Sequence, residues 1–441
     1  SAAYAGEAFR TLAAQRGITL GPPAPFAGAM QGTALVTHSS DDLAAIAADM
    51  AAPRRMNRLL QGDVGAGKTL VAFLALLNAV EAGGQGVLMA PTEILARQHF
   101  RALEPLARLA GIRLEALTGR DKGDARANIL TDLAEGRIHI LVGTHAVFQK
   151  TVAFHDLRLA VIDEQHRFGV NQRMELGSKG NGLPPDMLVM TATPIPRSLA
   201  LAQFGDMDLS VLDEKPPGRQ PIRTTVIAAS RLAEVVDHLA RALDQGARAY
   251  WVCPLVEESE AVDLTAAEAR FKMLRARFGD AVRLVHGQMP PEERDAAMAD
   301  FASGRAGILV ATTVIEVGVD VPEATIMIIE QAERFGLAAL HQLRGRVGRG
   351  EAQSYCLLLP SSDLVDGEKR RLAVLRDTED GFLIADADLE HRGGGDALGT
   401  RQAGQMGRRM VDPQRHGSLV RMAHQDATLL LERDPSLDRT E

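Results

Sequence analysis

The sequence predicts an α/β protein with two parallel-sheet domains in tandem and a C-terminal, mainly helical element. Three observations predict this fold class. Short apolar runs alternate with longer helical stretches from Asn57 onward, which is typical of strands and helices in a parallel sheet. A segment rich in proline and glycine at 215–221 interrupts the alternation, and a second series follows it. Beyond about Leu364 the strand pattern ends.

These changes of pattern predict four regions: an N-terminal lead or linker at 1–34, a first α/β domain at 35–217, a second at 218–363, and a C-terminal helical region at 364–441. A chain of 441 residues is too long for one hydrophobic core, which agrees with two or three domains. Because the chain begins with Ser1 and not with methionine, we expect it to be a fragment of a longer protein.

The composition, 46% hydrophobic and 24% charged, is typical of a soluble globular protein. No apolar run is long enough for a membrane span, and no signal-peptide pattern opens the chain, so we expect a cytoplasmic protein without a membrane partner. A formal net charge of −8 gives no overall basic footprint and leaves nucleic-acid binding open. Cys253 and Cys356 lie in apolar strand-like runs and are predicted to be buried thiols.

The elements of the first domain follow from apolar runs and their boundaries. Residues 39–42 can cap the first helix, and Pro91 suits the first turn of the third. In chain order we predict helix 43–50, strand 56–60, helix 70–83, strand 86–90, helix 91–110, and strands 138–142, 157–162 and 187–190.

The second series has no glycine-rich phosphate-binding turn of its own. It predicts strand 247–255, helix 265–278, strand 282–285, helix 290–303, and strands 307–311, 324–329 and 354–359, the last of which closes the sheet. After this strand, helical stretches flank a glycine-rich loop at 392–401.

A glycine-rich turn between strand 56–60 and helix 70–83 predicts a phosphate-binding loop. Glycines let several backbone N–H groups converge on phosphate oxygens, and the helix N-terminus adds partial positive charge. Lys68 would reach the β- and γ-phosphates, and the Thr69 hydroxyl would hold Mg²⁺. The loop consists of Gly62, Asp63, Val64, Gly65, Ala66, Gly67, Lys68 and Thr69. This pattern predicts binding of a nucleoside triphosphate; the alternative is a chance glycine turn before a core helix.

Two acids end the apolar strand 157–162. Ligands of open α/β sheets bind beyond the carboxyl ends of the strands, so these acids are expected to face the phosphate-binding loop. Asp163 would hold Mg²⁺ through water, and Glu164 would orient and deprotonate the attacking water. A strand that ends in a solvated acidic turn is the alternative interpretation.

The second half carries three arginines interleaved with glycines, at positions 344, 346 and 349, in a segment that is poor material for a helix or a core. One interpretation is a basic surface loop. The other is that Arg346 and Arg349 reach the γ-phosphate across a cleft between domains. An arginine finger of this kind accelerates hydrolysis by on the order of 10³ to 10⁵.

Several segments together resemble the motifs of superfamily 2 helicases in their usual order. They are Gly62–Thr69, Asp163–His166, Thr191–Thr193, Val310–Asp320 and Gln342–Arg349. Further segments resemble the RecG family of bacterial DNA helicases, namely Arg58–Gly65, Ala90–Ala96, Asp163–Gly169, Met190–Arg197, Asp213–Arg219 and Glu333–Leu337. The segment from Asp388 to Gly404 resembles the translocation motif of that family and of the transcription-repair coupling factor. The resemblance covers about 57–410 and implies two RecA-like domains.

The resemblance also assigns roles to individual residues. Coupling of the nucleotide site to DNA falls to His166, Thr191, Ala192 and Thr193. The ATP site is completed by Gln342, Arg346 and Arg349, with Gly318 and Asp320 nearby. Nucleic-acid contacts fall to Pro91, Thr92, Arg97, Thr118, Gly119, Thr144, His145, His286, Gly287, Thr312 and Thr313, and in the translocation motif to Arg392 and Arg401. Most are small, hydroxyl-bearing or glycine-rich turns, which suit phosphates and are blind to sequence.

By this resemblance, the function is that of an ATP-dependent double-stranded DNA translocase or helicase that uses ATP and Mg²⁺ and remodels stalled replication forks and Holliday junctions. Implied partners are double-stranded and branched DNA, with single-strand-binding protein as a candidate, and the chain is expected to act as a monomer in the bacterial cytosol. The alternatives are a translocase like the coupling factor, an RNA helicase of the same superfamily, and an ATP-dependent clamp that is not a motor.

Two departures from the family pattern stand out. The N-terminal wedge region that splits branched DNA in the family is not recognisable in this sequence, so weak fork unwinding is expected. Ser40 also stands where the family places a glutamine beside the adenine, so adenine selectivity rests on the resemblance alone.

Overall fold

The computed structural model describes residues 39–149, 151–164, 184–192, 207–212, 220–254, 260–312, 321, 323–350, 352–361 and 364–396, with scattered positions between 419 and 430. Their contacts form two compact units, each built around one sheet. The predicted boundary near 217 falls among residues outside these ranges and stays a prediction, as does the N-terminal lead. No helix in the described part of the chain is long and apolar enough to cross a membrane.

The first unit contains a seven-stranded sheet with the strand order β3-β4-β2-β5-β6-β1-β7. The pairs β1–β6, β5–β6, β2–β5, β2–β4 and β3–β4 are parallel. In chain order the elements are α1 (Ser39–Ala51), β1 (Asn57–Gly62), α2 (Lys68–Glu81), β2 (Gln85–Met89), α3 (Glu93–Leu109), β3 (Leu114–Leu117), α4 (Gly123–Ala134), β4 (Ile140–Gly143), β5 (Leu157–Asp163), β6 (Asp186–Thr191) and β7 (Asp208–Leu212).

Helices cover both faces of this sheet. Along β5, Leu159 and Val161 join the core under α2 and α3, while Ala160 and Ile162 join the core that includes Leu133 of α4. Successive side chains of a strand point to opposite faces, so a strand buried on both sides must be apolar throughout. This requirement explains why the central strands were recognisable as continuous apolar runs.

Gln85, the first residue of β2, is a buried polar side chain with a complete set of partners. Its Nε2 donates to the carbonyl oxygens of Leu133 (2.9 Å) and Ile138 (2.6 Å). Its Oε1 accepts from the backbone N–H groups of His155 (2.7 Å) and Asp156 (3.1 Å). One side chain thus satisfies backbone groups of two separate connections at the amino end of the sheet.

The second unit contains a six-stranded sheet with the strand order β10-β11-β9-β12-β13-β8, in which every neighbouring pair is parallel. Its elements are β8 (Arg223–Val226), α5 (Leu232–Asp244), β9 (Arg248–Val252), α6 (Glu260–Phe278), β10 (Val282–Val285), α7 (Pro291–Ala302), β11 (Ile308–Ala311), β12 (Ala324–Glu330), α8 (Leu337–Arg344), β13 (Tyr355–Leu359), α9 (Asp366–Asp377) and α10 (Gly381–Asp396). The two units confirm the predicted fold class, and α9 and α10 confirm a helical C-terminal region.

Several elements escaped the sequence analysis because they lack a continuous apolar pattern. β8 reads Arg-Thr-Thr-Val, and its side chains are exposed or half-buried at the sheet edge. β13 is the last strand along the sequence and was predicted to close the sheet. In the structure, β8 pairs with the outer side of β13 and occupies this edge. Among the residues of α4, Leu133 alone is buried, so the helix shows no apolar stripe. β3, β7, α5 and α8 were missed as well, although α5 carries a regular apolar stripe that includes Val235, Val236 and Leu239.

Predicted boundaries differ from those in the structure by up to five residues; the predicted helix 265–278, for example, begins at Glu260 as α6. Residues 39–42 belong to α1 itself, so the helix begins earlier than the predicted capping position. The predicted glycine-rich loop at 392–401 is helical up to Asp396, because α10 continues through Gly393–Gly395. Glycine lowers helix stability by about 1 kcal/mol per residue relative to alanine but does not prevent the helical backbone.

Both cysteines are buried, as predicted, and neither forms a disulfide. Burial raises the pKa of the Cys356 thiol to about 12, so this group remains protonated near neutral pH.

We expect Gln85→Leu to destabilise the first unit by roughly 3 kcal/mol or more, because the His155 and Asp156 N–H groups and the Leu133 and Ile138 carbonyls each lose a hydrogen bond, and a buried group left unpaired costs about 1–3 kcal/mol. The Leu133 carbonyl keeps its hydrogen bond from the Gly136 N–H. Urea unfolding followed by far-UV circular dichroism measures the loss, and hydrogen exchange should report faster exchange at the His155 and Asp156 amides. The control Gln245→Leu, at an exposed position after α5, should leave stability within about 0.5 kcal/mol of wild type. Equal stability of the two variants would contradict the role given to Gln85.

Candidate functional site

The turn between β1 and α2 has the backbone of a phosphate-binding loop. Gly65 and Gly67 have φ values of +83° and +91°, in the left-handed region that favours glycine. An added Cβ at Gly67 would meet no atom within 4 Å, so backbone conformation and not space requires glycine there. The first turn of α2 contains no acidic residue, which leaves the positive end of the helix dipole suited to an anion.

Lys68, the first residue of α2, is folded back over this loop. Its Nζ donates to the carbonyl oxygens of Gly62 and Asp63, each at 2.8 Å, and the residue is 8% exposed. An ammonium group held at the rim of a glycine-rich turn can move a short distance to contact phosphate oxygens. Gly62 is also constrained by space, because an added Cβ would lie 3.0 Å from Leu212.

The strand order brings the predicted acidic pair to the same sheet edge as the loop. β5 and β1 flank β6, with Asp163 opposite Met190 and Gln61 opposite Thr191. Thr191 and Ala192, assigned to coupling, therefore lie between the loop and the acids, and both are buried.

Asp163 is buried and ionised. Burial opposes its ionisation, but a hydrogen bond from His99, together with the charge of Lys68, outweighs this effect and holds the pKa of the Asp163 carboxyl below its usual value. The arrangement suits a divalent cation, which requires an ionised carboxylate.

His99, on α3, was missed by the sequence analysis. Its Nε2 lies 2.8 Å from Asp163 Oδ2, and both side chains are largely buried, at 11% and 13% exposed. The buried residues of α3 are Ala96, His99, Leu103 and Ala107. A histidine within an apolar stripe was the signal that could have found it, since a buried polar group requires a partner.

Glu164 follows Asp163 with a φ of +54°, in the left-handed region that residues other than glycine rarely adopt. Such a conformation costs on the order of 1–3 kcal/mol and is found mainly where a functional site over-determines the backbone. Glu164 thus adopts this conformation at the end of β5, immediately after the buried carboxylate.

The first-unit residues assigned to nucleic acid lie beyond the carboxyl ends of β2, β3 and β4. Thr92 caps α3, accepting from the Leu95 N–H at 3.4 Å. Thr118 is buried and donates from its backbone N and its Oγ1 to Asp121 Oδ2, at 2.6 and 3.0 Å. The buried Thr144 Oγ1 has no hydrogen-bond partner among the described residues. The other members of this set are the half-buried Pro91 and the exposed Arg97, Gly119 and His145.

The second unit places corresponding residues beyond β10 and β11. Thr312 is fully buried, and its Oγ1 and the His286 Nδ1 have no hydrogen-bond partner within the described ranges. Gly287 is exposed. Buried polar atoms that lack a protein partner are uncommon in folded proteins and suit a ligand or water.

The arginine segment is not a basic surface loop. Gln342 and Arg344 belong to α8 and are buried, and Arg346 in the following turn is 8% exposed. Arg344 Nη1 donates to the carbonyl oxygens of Leu375 and Thr378, which fixes the end of α8 to the end of α9. Arg344 is therefore a structural residue, contrary to the expectation that this segment is poor helix and core material.

Arg346 and Arg349 lie near Tyr250 of β9. Burial raises the pKa of Tyr250 to about 12, and the charges of these two arginines oppose the rise. Arg349 Nε also donates to the Gly345 carbonyl at 3.3 Å. Arg346 and Arg349 thus both lie in the segment that follows α8, where Arg349 is hydrogen-bonded to its own turn.

Some predicted site residues lie outside the described residues: His166, Thr193, Thr313, Gly318, Asp320 and Arg401. Arg392 is one of the residues of α10. The described residues contain no group of three or more histidine, cysteine or acidic side chains placed to hold a metal ion. A Mg²⁺ site that uses one carboxylate and phosphate oxygens requires no such group.

Comparisons with known proteins cover nearly all of this architecture. Family models match for the DEAD/DEAH box helicases at residues 43–201, the helicase conserved C-terminal domain at 231–351, and the C-terminal part of domain 3 of the ATP-dependent DNA helicase RecG at 378–441. The third model matches the region that the sequence analysis assigned to a translocation motif.

Two curated relatives are named ATP-dependent DNA helicase RecG. The protein of Escherichia coli (strain K12) is 50% identical over 397 residues, and that of Acidithiobacillus ferridurans is 52% identical over 398 residues. Each alignment covers 89% of this chain and 57% of the relative, so the chain spans little more than half the length of these relatives.

A solved structure of RecG bound to a three-way DNA junction matches with a TM-score of 0.72 and 40% identity, over 88% of this chain and 50% of that one. The similarity extends over both parallel-sheet units of this chain, and these units are RecA-like helicase domains in tandem. With these matches and the phosphate-binding loop beside Asp163, the chain belongs to the RecG family of helicases.

Proposed function

We propose that this chain is the motor part of a RecG-type helicase, which hydrolyses ATP to translocate on double-stranded DNA and remodels stalled forks and Holliday junctions. One observation carries the proposal: the Lys68 loop and the buried Asp163 lie at the carboxyl ends of β1 and β5, the two strands that flank β6, in a chain 50% identical to a RecG helicase. The match to RecG domain 3 favours this function over an RNA helicase or an ATP-dependent clamp.

In the first unit, the backbone N–H groups of 62–69 bind the phosphates and Lys68 contacts the β- and γ-phosphates. Thr69 and Asp163 would hold Mg²⁺, and the ionised state of Asp163 fits this role. When bound, Mg²⁺ neutralises charge on the phosphate oxygens. Glu164 accepts the proton of the attacking water.

In the second unit, Gln342, Arg346 and Arg349 complete the nucleotide site together with Gly318 and Asp320. Arg346 and Arg349 stabilise the charge that develops on the γ-phosphoryl group. His166 and Thr191–Thr193 transmit the state of the nucleotide to the DNA contacts. We assign these roles to the domains at 35–217 and 218–363.

DNA is held by the hydroxyl and glycine turns beyond the strand ends and by Arg392 and Arg401 of the region 364–441. Contacts of this kind bind phosphates and do not read the base sequence. The RecG structure with a three-way junction supports branched DNA as the substrate of this chain as well. Single-strand-binding protein as a partner, a monomeric state and a bacterial cytosolic location belong to the same proposal.

We expect ATP hydrolysis by this chain to rise on addition of double-stranded DNA, and to respond less to single strands or RNA. Steady-state ATPase assays with linear, forked and four-way DNA, a single strand and a duplex RNA measure this. If the chain is folded and its rate of ATP hydrolysis does not change on addition of DNA, the motor function is contradicted. Stimulation by RNA above that by DNA would favour the RNA helicase.

We expect Glu164→Gln to lower kcat by about 10² to 10⁴, because the glutamine cannot accept the proton of water, while nucleotide affinity stays near that of wild type. Single-turnover hydrolysis and nucleotide binding measure the two quantities. Glu81→Gln, at the exposed end of α2, is the matched control and should keep full turnover. Full turnover by the Glu164 variant would remove it from the catalytic role.

Arg344 and Arg346, two residues apart, should respond differently to alanine. Arg346→Ala should lower kcat by on the order of 10³ with little change in stability, as expected of an arginine finger. Arg344→Ala should instead destabilise the second unit, because Leu375 and Thr378 lose their donor. Trp251, the single tryptophan, lies in this unit and reports its unfolding by fluorescence. The same phenotype for both variants would contradict this division of roles.

A further inference from the structure

His99 has no role in the proposed function, yet it is hydrogen-bonded to the carboxylate proposed to hold Mg²⁺. The contact joins α3 to the end of β5 across 64 positions of sequence, at 2.8 Å between Nε2 and Asp163 Oδ2. It is a buried, charge-assisted hydrogen bond, about twice as strong as one between neutral groups.

The imidazole ring is itself fixed by its surroundings. It occupies the buried stripe of α3 between Ala96 and Leu103, so its orientation is set by packing. A ring N–H donates and a carboxylate oxygen accepts, so in this contact Nε2 carries the hydrogen and Asp163 Oδ2 accepts it. A carboxylate offers about four lone-pair sites, and Asp163 also accepts a hydrogen bond from the Glu164 backbone, so about two sites remain for a metal-bound water.

Lys68 does not perform this task. It acts on Asp163 through its charge, whereas its Nζ donates to the carbonyl oxygens of the loop. On phosphate binding Lys68 is expected to leave these oxygens, while His99, on a packed helix, keeps its place. His99 therefore holds Asp163 in one rotamer in a way that does not depend on the nucleotide.

We propose that His99 is a positioning residue for Mg²⁺: its Nε2–H fixes the Asp163 carboxylate in the orientation in which it receives the metal ion. The inference rests on the proposed function, because it takes Asp163 as the metal-holding group. Partners of this kind, which orient a metal-holding side chain, typically change metal affinity by about 10- to 100-fold when they are removed.

The test compares two substitutions of His99 by amide side chains of different length, in the full 441-residue chain. The amide nitrogen of His99→Gln corresponds to Nε2 and can donate to Asp163, whereas that of His99→Asn ends near the position of Nδ1. We titrate MgCl2 against binding of a fluorescent ADP analogue. His99→Asn should raise the Mg²⁺ concentration for half-maximal binding about tenfold or more, and His99→Gln should stay close to wild type. In EDTA all variants should bind the analogue alike.

Controls separate the possible failures. Leu103→Ala loosens α3 without touching Asp163 and should leave the Mg²⁺ midpoint unchanged. Asp163→Asn should raise the midpoint at least as much as His99→Asn. If Asp163→Asn leaves it unchanged, the metal assignment in the proposed function is wrong. If only Asp163→Asn raises the Mg²⁺ midpoint, or if His99→Asn and His99→Gln raise it equally, the role of His99 is wrong. Should His99→Asn not fold, His99→Leu, which keeps apolar packing, takes its place with the same expected shift.

Discussion

The alignment of parallel strands is the constraint on which the site depends. Because β1, β6 and β5 run in one direction, their carboxyl ends meet at one edge of the sheet. That edge brings together the phosphate-binding turn after Gly62, the coupling segment at Thr191 and the acidic pair at Asp163. Antiparallel neighbours would place these groups at opposite edges of the sheet, and the same residues would have no common ligand.

Much of the fold and the main parts of the first-unit site could be predicted, since both are encoded in contiguous sequence. A strand buried on both faces must be apolar, and a phosphate-binding turn must contain glycine at its left-handed positions, so β5 and Gly67 have recognisable local patterns. Edge elements lack this pattern. β8 at its exposed edge and α4 with one buried residue meet weaker demands, and their sequences gave no comparable signal.

Contacts between distant segments could not be predicted in the same way. His99 resembles any helical histidine until the fold places it against Asp163. Arg344 and Arg346 look equivalent within one basic segment, yet Arg344 is tied to Leu375 and Thr378. The other end of α8 is tied to the same C-terminal helices, because the Leu337 N–H donates to Asp388 Oδ1 at 3.1 Å. Gln342 thus lies on a helix that is held at both ends, and Arg346 lies in the turn that follows this helix.

The position of β1 in its sheet has a consequence for synthesis on the ribosome. β1 is the first strand of its sheet in the chain, but its neighbours β6 and β7 are the last two, ending at Leu212. At roughly 5–20 residues per second, these partners are made on the order of ten seconds later. The phosphate-binding loop is therefore among the last parts of the nascent domain to fold. Until β6 and β7 are made, the apolar strand β1 is unpaired while the emerging chain is exposed to chaperones and proteases.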